Sequence, residues 1–293
     1  MSFQVTEAQV VQYRDGITHR AQQVESRLRG LVQTDSGIVG TSASRDFLGT
    51  RRPQQRQNRH GDTVLRDTPH DRRWVDITTY DDADLVDDPD KVRMLTDPTN
   101  PYSVAIARGA GREIDVIVIA GMLGVTRTGV AGAGTSLAPT TVLTTVAAHG
   151  AGGEMNLADL TAMKRLFDQR EQPMERNWAI TAAQVEDLFA ITQVTSSDFN
   201  VQRVLAQGQM NSYMGFNWVR VEDPILPNNA AGTQRRTAIW TNEAVWLAIG
   251  ADITGSIDRR PDKNNSTQVF YSFDLGASRL DDLGVVEQEF TEL

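Results

Sequence analysis

The fold is decided by short apolar runs near the C-terminus, among them Tyr213-Met-Gly-Phe-Asn-Trp-Val-Arg-Val221 and Phe270-Tyr-Ser-Phe-Asp-Leu-Gly-Ala-Ser-Arg279. Two more are Ala238-Ile-Trp-Thr-Asn-Glu-Ala-Val-Trp-Leu-Ala-Ile249 and the closing Gly284-Val-Val-Glu-Gln-Glu-Phe290. Aromatic and β-branched residues between polar turns are typical of strands. We therefore predict strands over residues 213–221, 237–241, 269–273 and 284–290. No cluster of catalytic residue types lies near them.

A long helix is predicted over residues 101–123. Asn100-Pro101 supplies a helix start signal and Gly124 a stop signal. Two internal glycines and the run Val116-Ile-Val-Ile119 weaken helix propensity, so a buried strand over residues 114–119 remains the alternative.

Shorter elements complete the predicted order. Apolar spacing and capping residues indicate helices at 5–32, at 156–167 with an Asn156 cap, at 182–190 after Thr181, and at 198–207. Alternation indicates strands at 73–80 and 178–181. Helices mixed with antiparallel-type strands, without regular βαβ alternation, predict an α+β fold.

Composition excludes several classes of function. The 293-residue chain is 40% hydrophobic and 23% charged, which is ordinary for a soluble protein. It has no cysteine, so disulfides, thiolate chemistry and cysteine-type metal sites are excluded. The longest apolar run, 116–123, is far short of the ~20 residues that span a bilayer. The first residues lack a signal-like pattern, so the expected compartment is the bacterial cytoplasm, or a particle assembled there. We expect no cofactor and no membrane partner.

The charge is unevenly distributed along the chain. A net charge of −9 disfavours a nucleic-acid binder, because neutralising phosphates requires a basic face. Residues 45–73 nevertheless carry eight arginines against four aspartates, whereas 76–90 carry seven aspartates and no Lys or Arg. Few residues in 34–71 could enter a core, so this segment is predicted to be either disordered or ordered by a neighbouring subunit.

One hypothesis joins the two charged segments: the arginines of one subunit contact the acidic run of the next, as opposite charges give register and specificity. The commoner alternative is a solvated acidic face, and calcium binding ranks below both. The candidate inter-subunit residues are Arg45, Arg51, Arg52, Arg56, Arg59, Arg66, Arg72, Arg73, Asp81, Asp82, Asp84, Asp87 and Asp88.

The segment Gly129-Val-Ala-Gly-Ala-Gly-Thr-Ser136 approaches a phosphate-binding loop. A P-loop requires Lys directly after its last Gly, and Thr135 occupies that position. A flexible loop of small residues is therefore expected, with a nucleotide-binding enzyme as the alternative from a different class. The four histidines do not have the spacing of a zinc-binding helix.

The order of these features resembles the major capsid proteins of tailed phages, which have the Hong Kong 97-like fold. The quoted pieces are Ala107-Arg-Gly-Ala-Gly-Arg-Glu-Ile-Asp115 for a spine helix, Gly215-Phe-Asn-Trp-Val-Arg-Val221 for a strand after a helix and Gly, and Ala238-Ile-Trp with Ala244-Val-Trp-Leu-Ala248 for a late strand and helix. Gly276-Ala-Ser-Arg279 resembles the family's ending. The resemblance implies an N-terminal arm at 1–33, an extended loop at 34–80, a spine helix and peripheral domain at 81–150, an axial domain at 151–260, and a return to the peripheral and axial sheet at 261–293.

The resemblance also implies the function. We expect a structural protein, not an enzyme, that self-assembles as pentamers and hexamers into an icosahedral head shell, part of the virion. The shell would enclose viral DNA without sequence-specific binding. A separate scaffolding protein, a portal and decoration proteins are the expected partners. An encapsulin-like compartment is the alternative on the same fold. With three lysines and none in the extended loop, no covalent cross-link is expected.

Overall fold

The computed structural model describes residues 23–56, 58–59, 62–63, 65–87, 99–135, 140–141, 153–191 and 212–292. Its α-helices are α1 (Thr99–Leu123), α2 (Leu157–Gln169) and α3 (Ala182–Ala190). Short 3-10 turns cover Arg29–Leu31, Asp223–Ile225 and Asn242–Ala244. The strands are β1 (Gln33–Ser36), β2 (Ser42–Leu48), β3 (His70–Asp76), β4 (Thr78–Val86), β5 (Arg127–Thr128), β6 (Gly134–Thr135), β7 (Thr140–Thr141), β8 (Arg176–Ile180), β9 (Ser212–Tyr213), β10 (Phe216–Arg220), β11 (Gln234–Thr241), β12 (Val245–Arg260), β13 (Ser266–Arg279) and β14 (Val285–Thr291).

The described strands form three sheets, and helices accompany two of them, so the predicted α+β fold is confirmed. One sheet has the order β1-β12-β13-β4, with α1 packed across it. A second has the order β7-β14-β11-β8-β10-β9. The third, β2-β3-β5-β6, contains β2 and β3, two strands of the segment 34–80 that is named the extended loop above.

The predicted long helix is confirmed as α1, and the alternative strand over residues 114–119 is wrong. The helix packs so closely on β13 that a Cβ at Gly121 would lie 2.6 Å from the carbonyl carbon of Ala277. Val118 and Met122 on this face are fully buried. Burial of the apolar face therefore outweighs the weak helix propensity of the glycines and β-branched residues.

The six-stranded sheet has its own aromatic core. Trp178 of β8 stacks on Trp218 of β10 at 4.9 Å between ring centroids, and Phe216 meets Trp178 edge-on at 5.3 Å. Helix α2 begins where expected, because Asn156 and Asp159 exchange hydrogen bonds in a capping box. Helix α3 also matches its prediction, and the backbone N–H of Thr181 donates to Gln184 Oε1 over 2.9 Å.

The late helix implied over Ala244–Ala248 is wrong, because this segment leads into the 16-residue strand β12. Both faces of the strand are covered here: Trp246 and Ala248 face one apolar cluster, whereas Leu247 and Ile249 face another. A strand buried on both faces gives a continuous apolar run, which periodicity alone does not separate from a buried helix.

The predicted N-terminal helix over 5–32 is wrong in its described part, since residues 23–32 contain the 3-10 turn Arg29–Leu31 and no α-helix. Its first part, and the whole helix predicted at 198–207, lie outside the described residues. The other predicted strands are present. Those predicted at 73–80 and 213–221 are each divided, the first into β3 and β4 and the second into β9 and β10.

Candidate inter-subunit surface

The extended loop is rooted in its own subunit and exposed at its tip. Strand β1 pairs in parallel with β12, and β2 pairs with β3 from Ser42↔Asp76 to Leu48↔His70. Beyond Leu48 the described residues form no further ladder, and Leu65 is 89% exposed. The prediction that residues 34–71 form no structure within their own subunit is therefore wrong for the strands and stands only for the tip.

Five of the candidate arginines lie in this tip: Arg51, Arg52, Arg56, Arg59 and Arg66 are all exposed. Most of their contacts with described residues are local, such as Arg51 Nη1 to Thr68 Oγ1 at 3.2 Å and Arg66 Nη1 to the Arg52 carbonyl oxygen at 3.3 Å. Arg52 also lies 3.9 Å from Glu171 Oε1, with both side chains more than three-quarters exposed. Such an exposed pair contributes little free energy, so these cations are available to another surface.

The two strand arginines Arg45 and Arg72 have partners on the loop itself. Arg72 Nε lies 2.6 Å from Asp46 Oδ1, and its hydrogen bond holds the pKa of that carboxyl below the usual value. Arg45 Nη1 lies 3.2 Å from Asp35 Oδ2, and its guanidinium sits 6.0 Å from the ring centroid of Trp246. The Arg72–Asp46 pair links β3 to β2 within the ribbon. The contacts of Arg45 join the ribbon to the β1-β12-β13-β4 sheet.

Arg73 departs from the expected inter-subunit role, because it is only 6% exposed. Its Nη1 donates to Asp71 Oδ2 (2.5 Å), its Nη2 to Asp282 Oδ2 (3.1 Å) and its Nε to the Leu280 carbonyl oxygen (3.1 Å). A guanidinium with three acceptors inside its own subunit is not offered to a neighbour. Its function is to anchor the root of the loop.

Three of the acidic candidates, Asp81, Asp82 and Asp84, lie on β4, which is the edge strand of its sheet in the described part of the chain. Asp81, Asp82, Asp84 and Asp87 are exposed, and the first three form no ion pair with any described residue. Asp87 accepts a hydrogen bond from Ser266 Oγ, and Asp88 lies outside the described residues. Side chains alternate along a strand, so Asp82 and Asp84 point to one face and Asp81 to the other.

The glycine loop after α1 serves the extended loop. Gly129 and Gly132 have φ values of +86° and +67°, and their carbonyl oxygens accept from Trp74 Nε1 (2.8 Å) and Arg127 Nε (3.2 Å). A phosphate-binding loop presents N–H donors, whereas the carbonyl oxygens of Gly129 and Gly132 accept from Trp74 of β3 and Arg127 of β5. The described geometry therefore favours a structural turn over the nucleotide site.

Sequence reasoning missed Asp115, a fully buried carboxylate on α1. Its two oxygens accept from Gln23 Nε2 (2.5 Å), Ser26 Oγ (2.6 Å), Leu28 N (3.0 Å) and Arg27 N (3.1 Å). Asp115 therefore fixes the end of the N-terminal arm onto the spine helix. A signal was present, since a lone Asp between Ile114 and Val116 in an apolar helix needs several donors to be buried.

Within the described ranges no helix is long and apolar enough to cross a bilayer. Histidine and acidic side chains of the same ranges do not gather in a group of three that could hold a metal ion. The aspartates of β4, divided between two strand faces, fit that finding.

Comparisons with known proteins agree with this geometry. The phage capsid protein family matches residues 5–292. The capsid of cyanophage P-SCSP1u superposes with a TM-score of 0.73 at 16% identity, covering 98% of this chain and 94% of that one. The capsid of Helicobacter pylori bacteriophage KHP30 gives 0.70 at 10% identity, covering 99% and 98%. The capsid of cyanophage Pam1 gives 0.68 at 14% identity, covering 97% of each chain. A search of curated proteins gave no match.

The family match spans nearly the whole sequence, and the three matched structures cover 97–99% of this chain at TM-scores of 0.68 to 0.73. The chain therefore belongs to the phage capsid protein family: it is a major capsid protein with the Hong Kong 97-like fold, and it forms part of the shell of the virion.

Proposed function

We propose that the capsid subunit binds its neighbour through the tip of the extended loop, whose arginines contact the acidic edge strand β4 of the adjacent copy. One observation carries this proposal: an exposed basic tip and an exposed acidic edge lie on separate parts of one subunit. Two different, complementary surfaces make a head-to-tail contact, which closes into rings when copies repeat it.

Charge accounts for the specificity of this contact. The exposed tip arginines have few acidic partners within their own subunit. Asp81, Asp82 and Asp84 of β4 form no ion pair with a described residue. Arginine forms planar, bidentate hydrogen bonds with carboxylates, so the pairing favours one register over others. Charge on β4 also discourages direct edge-to-edge pairing of two copies, which an uncharged exposed edge would invite.

The proposal also covers the organisation of the subunit and its partners, as the resemblance to this capsid family implies. The subunit is a purely structural protein with an arm at 1–33, an extended loop at 34–80, a spine helix and peripheral domain at 81–150, an axial domain at 151–260 and a returning segment at 261–293. It assembles as pentamers and hexamers with a separate scaffolding protein, a portal and decoration proteins. The net charge of −9 supports an inner wall that encloses DNA without binding a sequence.

The test is a charge-swap cycle on purified subunits. Reversing Arg51, Arg52, Arg56 and Arg59 to Glu is expected to block assembly while circular dichroism shows a folded subunit. Reversing Asp81, Asp82, Asp84 and Asp87 to Arg alone is expected to do the same. Combining both reversals restores complementarity and is expected to restore shells, scored by electron microscopy and light scattering. Shells of normal yield from the arginine-reversed subunit would refute the proposed contact.

Salt gives a second measurement on the unaltered protein. At 1 M ionic strength the Debye length falls to about 3 Å, so contacts between exposed charges are largely screened. The rate of shell formation is therefore expected to fall as NaCl rises. If apolar contacts drove loop docking, the rate would rise or stay constant over the same range.

A further inference from the structure

Several contacts attach the root of the extended loop to its subunit, among them the packing of Val75 against Trp246 and Leu280 in an apolar cluster. Within the described residues, β3 pairs with β5 at only two positions, Arg73↔Thr128 and Trp74↔Arg127. The indole Nε1 of Trp74 adds the hydrogen bond to the carbonyl oxygen of Gly129. A two-stranded ribbon is marginally stable on its own, and one further contact at its root bears on its direction.

That contact is an ionic bridge of three residues. Asp282 Oδ2 accepts from Arg73 Nη2 over 3.1 Å, on the side of the loop. Its other oxygen, Oδ1, accepts from Arg279 Nε over 2.5 Å. Each carboxylate oxygen thus binds one arginine. Both arginines are buried, since Arg73 is 6% exposed and Arg279 is 0% exposed.

The second arginine leads to the spine helix. Arg279 Nη1 donates to the carbonyl oxygens of Met122 (2.7 Å) and Gly124 (2.8 Å), which terminate α1. A cation at a helix C-terminus also complements the negative end of the helix dipole. Loop root, carboxylate and helix end are therefore joined in one chain of charge-assisted hydrogen bonds.

We propose that Asp282 is a positioning residue that sets the angle between the extended loop and the spine helix, and thereby the angle between neighbouring subunits in the shell. The inference rests on the loop contact proposed above, because a loop that bound no neighbour would transmit no angle. Asp282 acts through Arg73, whose strand continues into the tip.

The chain allows this role to be separated from simple stability. Without the Asp282 carboxylate, Arg73 keeps Asp71 and the Leu280 carbonyl oxygen, and Arg279 keeps two helix carbonyls. Both buried guanidiniums thus retain acceptors, so Asp282→Ala is expected to fold. Asp281→Ala is the matched control, because that neighbouring carboxylate accepts from Gln172 Nε2 (3.0 Å) and not from the loop.

The first measurement is hydrogen exchange on unassembled subunits, which does not depend on any inter-subunit contact. In Asp282→Ala, amides of Arg73 and Val75 are expected to exchange about tenfold faster, because the loss of charge-assisted hydrogen bonds corresponds to at least that factor. Amides of α2 and α3 keep their rates. Asp282→Asn retains one acceptor oxygen and is expected to lie between wild type and Ala.

The second measurement is the diameter distribution of assembled particles by electron microscopy. Asp282→Ala is expected to give a broadened distribution with open or aberrant shells, whereas Asp281→Ala gives shells of wild-type diameter. Wild-type exchange and wild-type shells from Asp282→Ala overturn the proposal, as does an equal effect of Asp281→Ala. If Asp282→Ala does not fold, Asp282→Asn decides by the same criteria.

The two measurements distinguish this proposal from the loop contact. Faster exchange with normal shells means that the root is loosened but its angle does not reach the neighbour, which overturns the positioning role. Normal shells from the arginine-reversed tip refute the loop contact separately, whatever the exchange rates show.

Discussion

Arg279 Nη1 lies 2.7 Å from the carbonyl oxygen of Met122, although 157 positions separate the two residues in the sequence. Strand β13 ends here and the spine helix ends against it. The helix C-terminus leaves carbonyl groups without intrahelical partners, and burial makes such groups costly. A fully buried arginine at the end of β13 satisfies two of them at once.

Arg279→Met is expected to reduce the free energy of unfolding by about 3–5 kcal/mol, because it removes the donor to two carbonyl oxygens and to Asp282 Oδ1. Urea denaturation of the unassembled subunit measures the loss. Arg260→Met is the control, since that arginine pairs only with neighbours at the exposed β12–β13 turn and should leave stability unchanged. A loss below about 1 kcal/mol for Arg279→Met would contradict the capping role.

Asp115→Asn is expected to release the arm. Asn keeps the shape but replaces one accepting oxygen with an NH₂ group that faces donors, a loss of about 2–4 kcal/mol at this buried position. Trypsin should then cleave after Arg27 or Arg29 at least about tenfold faster, as local opening becomes more frequent. Glu113→Gln on the same helix is the control. Equal cleavage rates in wild type and Asp115→Asn would show that other contacts hold the arm.

Two glycines of the spine helix should respond to alanine with opposite signs. Gly121→Ala places a Cβ 2.6 Å from Ala277, and is expected to destabilise the subunit by about 1–3 kcal/mol despite better helix propensity. At Gly109 the nearest atom to an added Cβ is Arg112 Nη2 at 4.0 Å, so Gly109→Ala should stabilise by about 0.5–1 kcal/mol. Melting curves of both variants check the pair, and stabilisation by Gly121→Ala would rule out the close helix–sheet contact.

Glu292 should make stability depend on acid pH. The hydrogen bond from Arg235 is the main cause that lowers the pKa of its carboxyl; burial acts in the opposite direction, and Thr181 and Gln184 add further donors. A lowered pKa means that this stabilisation is complete above the ordinary value of 4.5 and is lost as pH falls through the folded-state pKa.

Glu292→Gln is therefore expected to cost about 1–2 kcal/mol at pH 7 and progressively less below pH 4.5. Denaturation curves at pH 7, 4 and 3 give the difference between wild type and variant. Glu243→Gln, at an exposed site, is the control and should show little difference at any pH. A penalty for Glu292→Gln that stayed constant down to pH 3 would contradict the ionic origin of the effect.

The glycines of α1 show how local and tertiary signals diverge. By propensity Gly111 argues against a helix, yet an added Cβ there would lie 3.1 Å from the backbone nitrogen of Ser26 in the arm. Gly121 likewise lets β13 approach. Both glycines allow close contact with segments that are distant in sequence. The sequence therefore shows that they weaken helix propensity but not why glycine is needed there.

The same divergence separates the arginines of the extended loop. Arg72 and Arg73 are neighbours that the sequence does not distinguish, and both were predicted to lie in the inter-subunit contact. In the structure Arg72 is a partly exposed partner of Asp46, whereas Arg73 is buried against Asp282. Strand alternation puts neighbours on opposite faces, but which face is covered depends on β13 and the residues after it.

Sequence patterns were enough to predict α1, the caps of α2 and α3, most strands and the capsid family. These features depend on local periodicity, on capping residues within a turn of their helix and on the order of features along the chain. The folded subunit alone shows that residues 245–260 are a strand, and that β1 and the β2–β3 ribbon belong to sheets of their own subunit. It also shows that Asp115 and Arg279 are buried polar anchors and that the half-buried Asp282 joins Arg73 to Arg279. Each of these depends on groups that are distant in sequence, and a buried charge or a strand covered on both faces is recognisable only when its partners are in place.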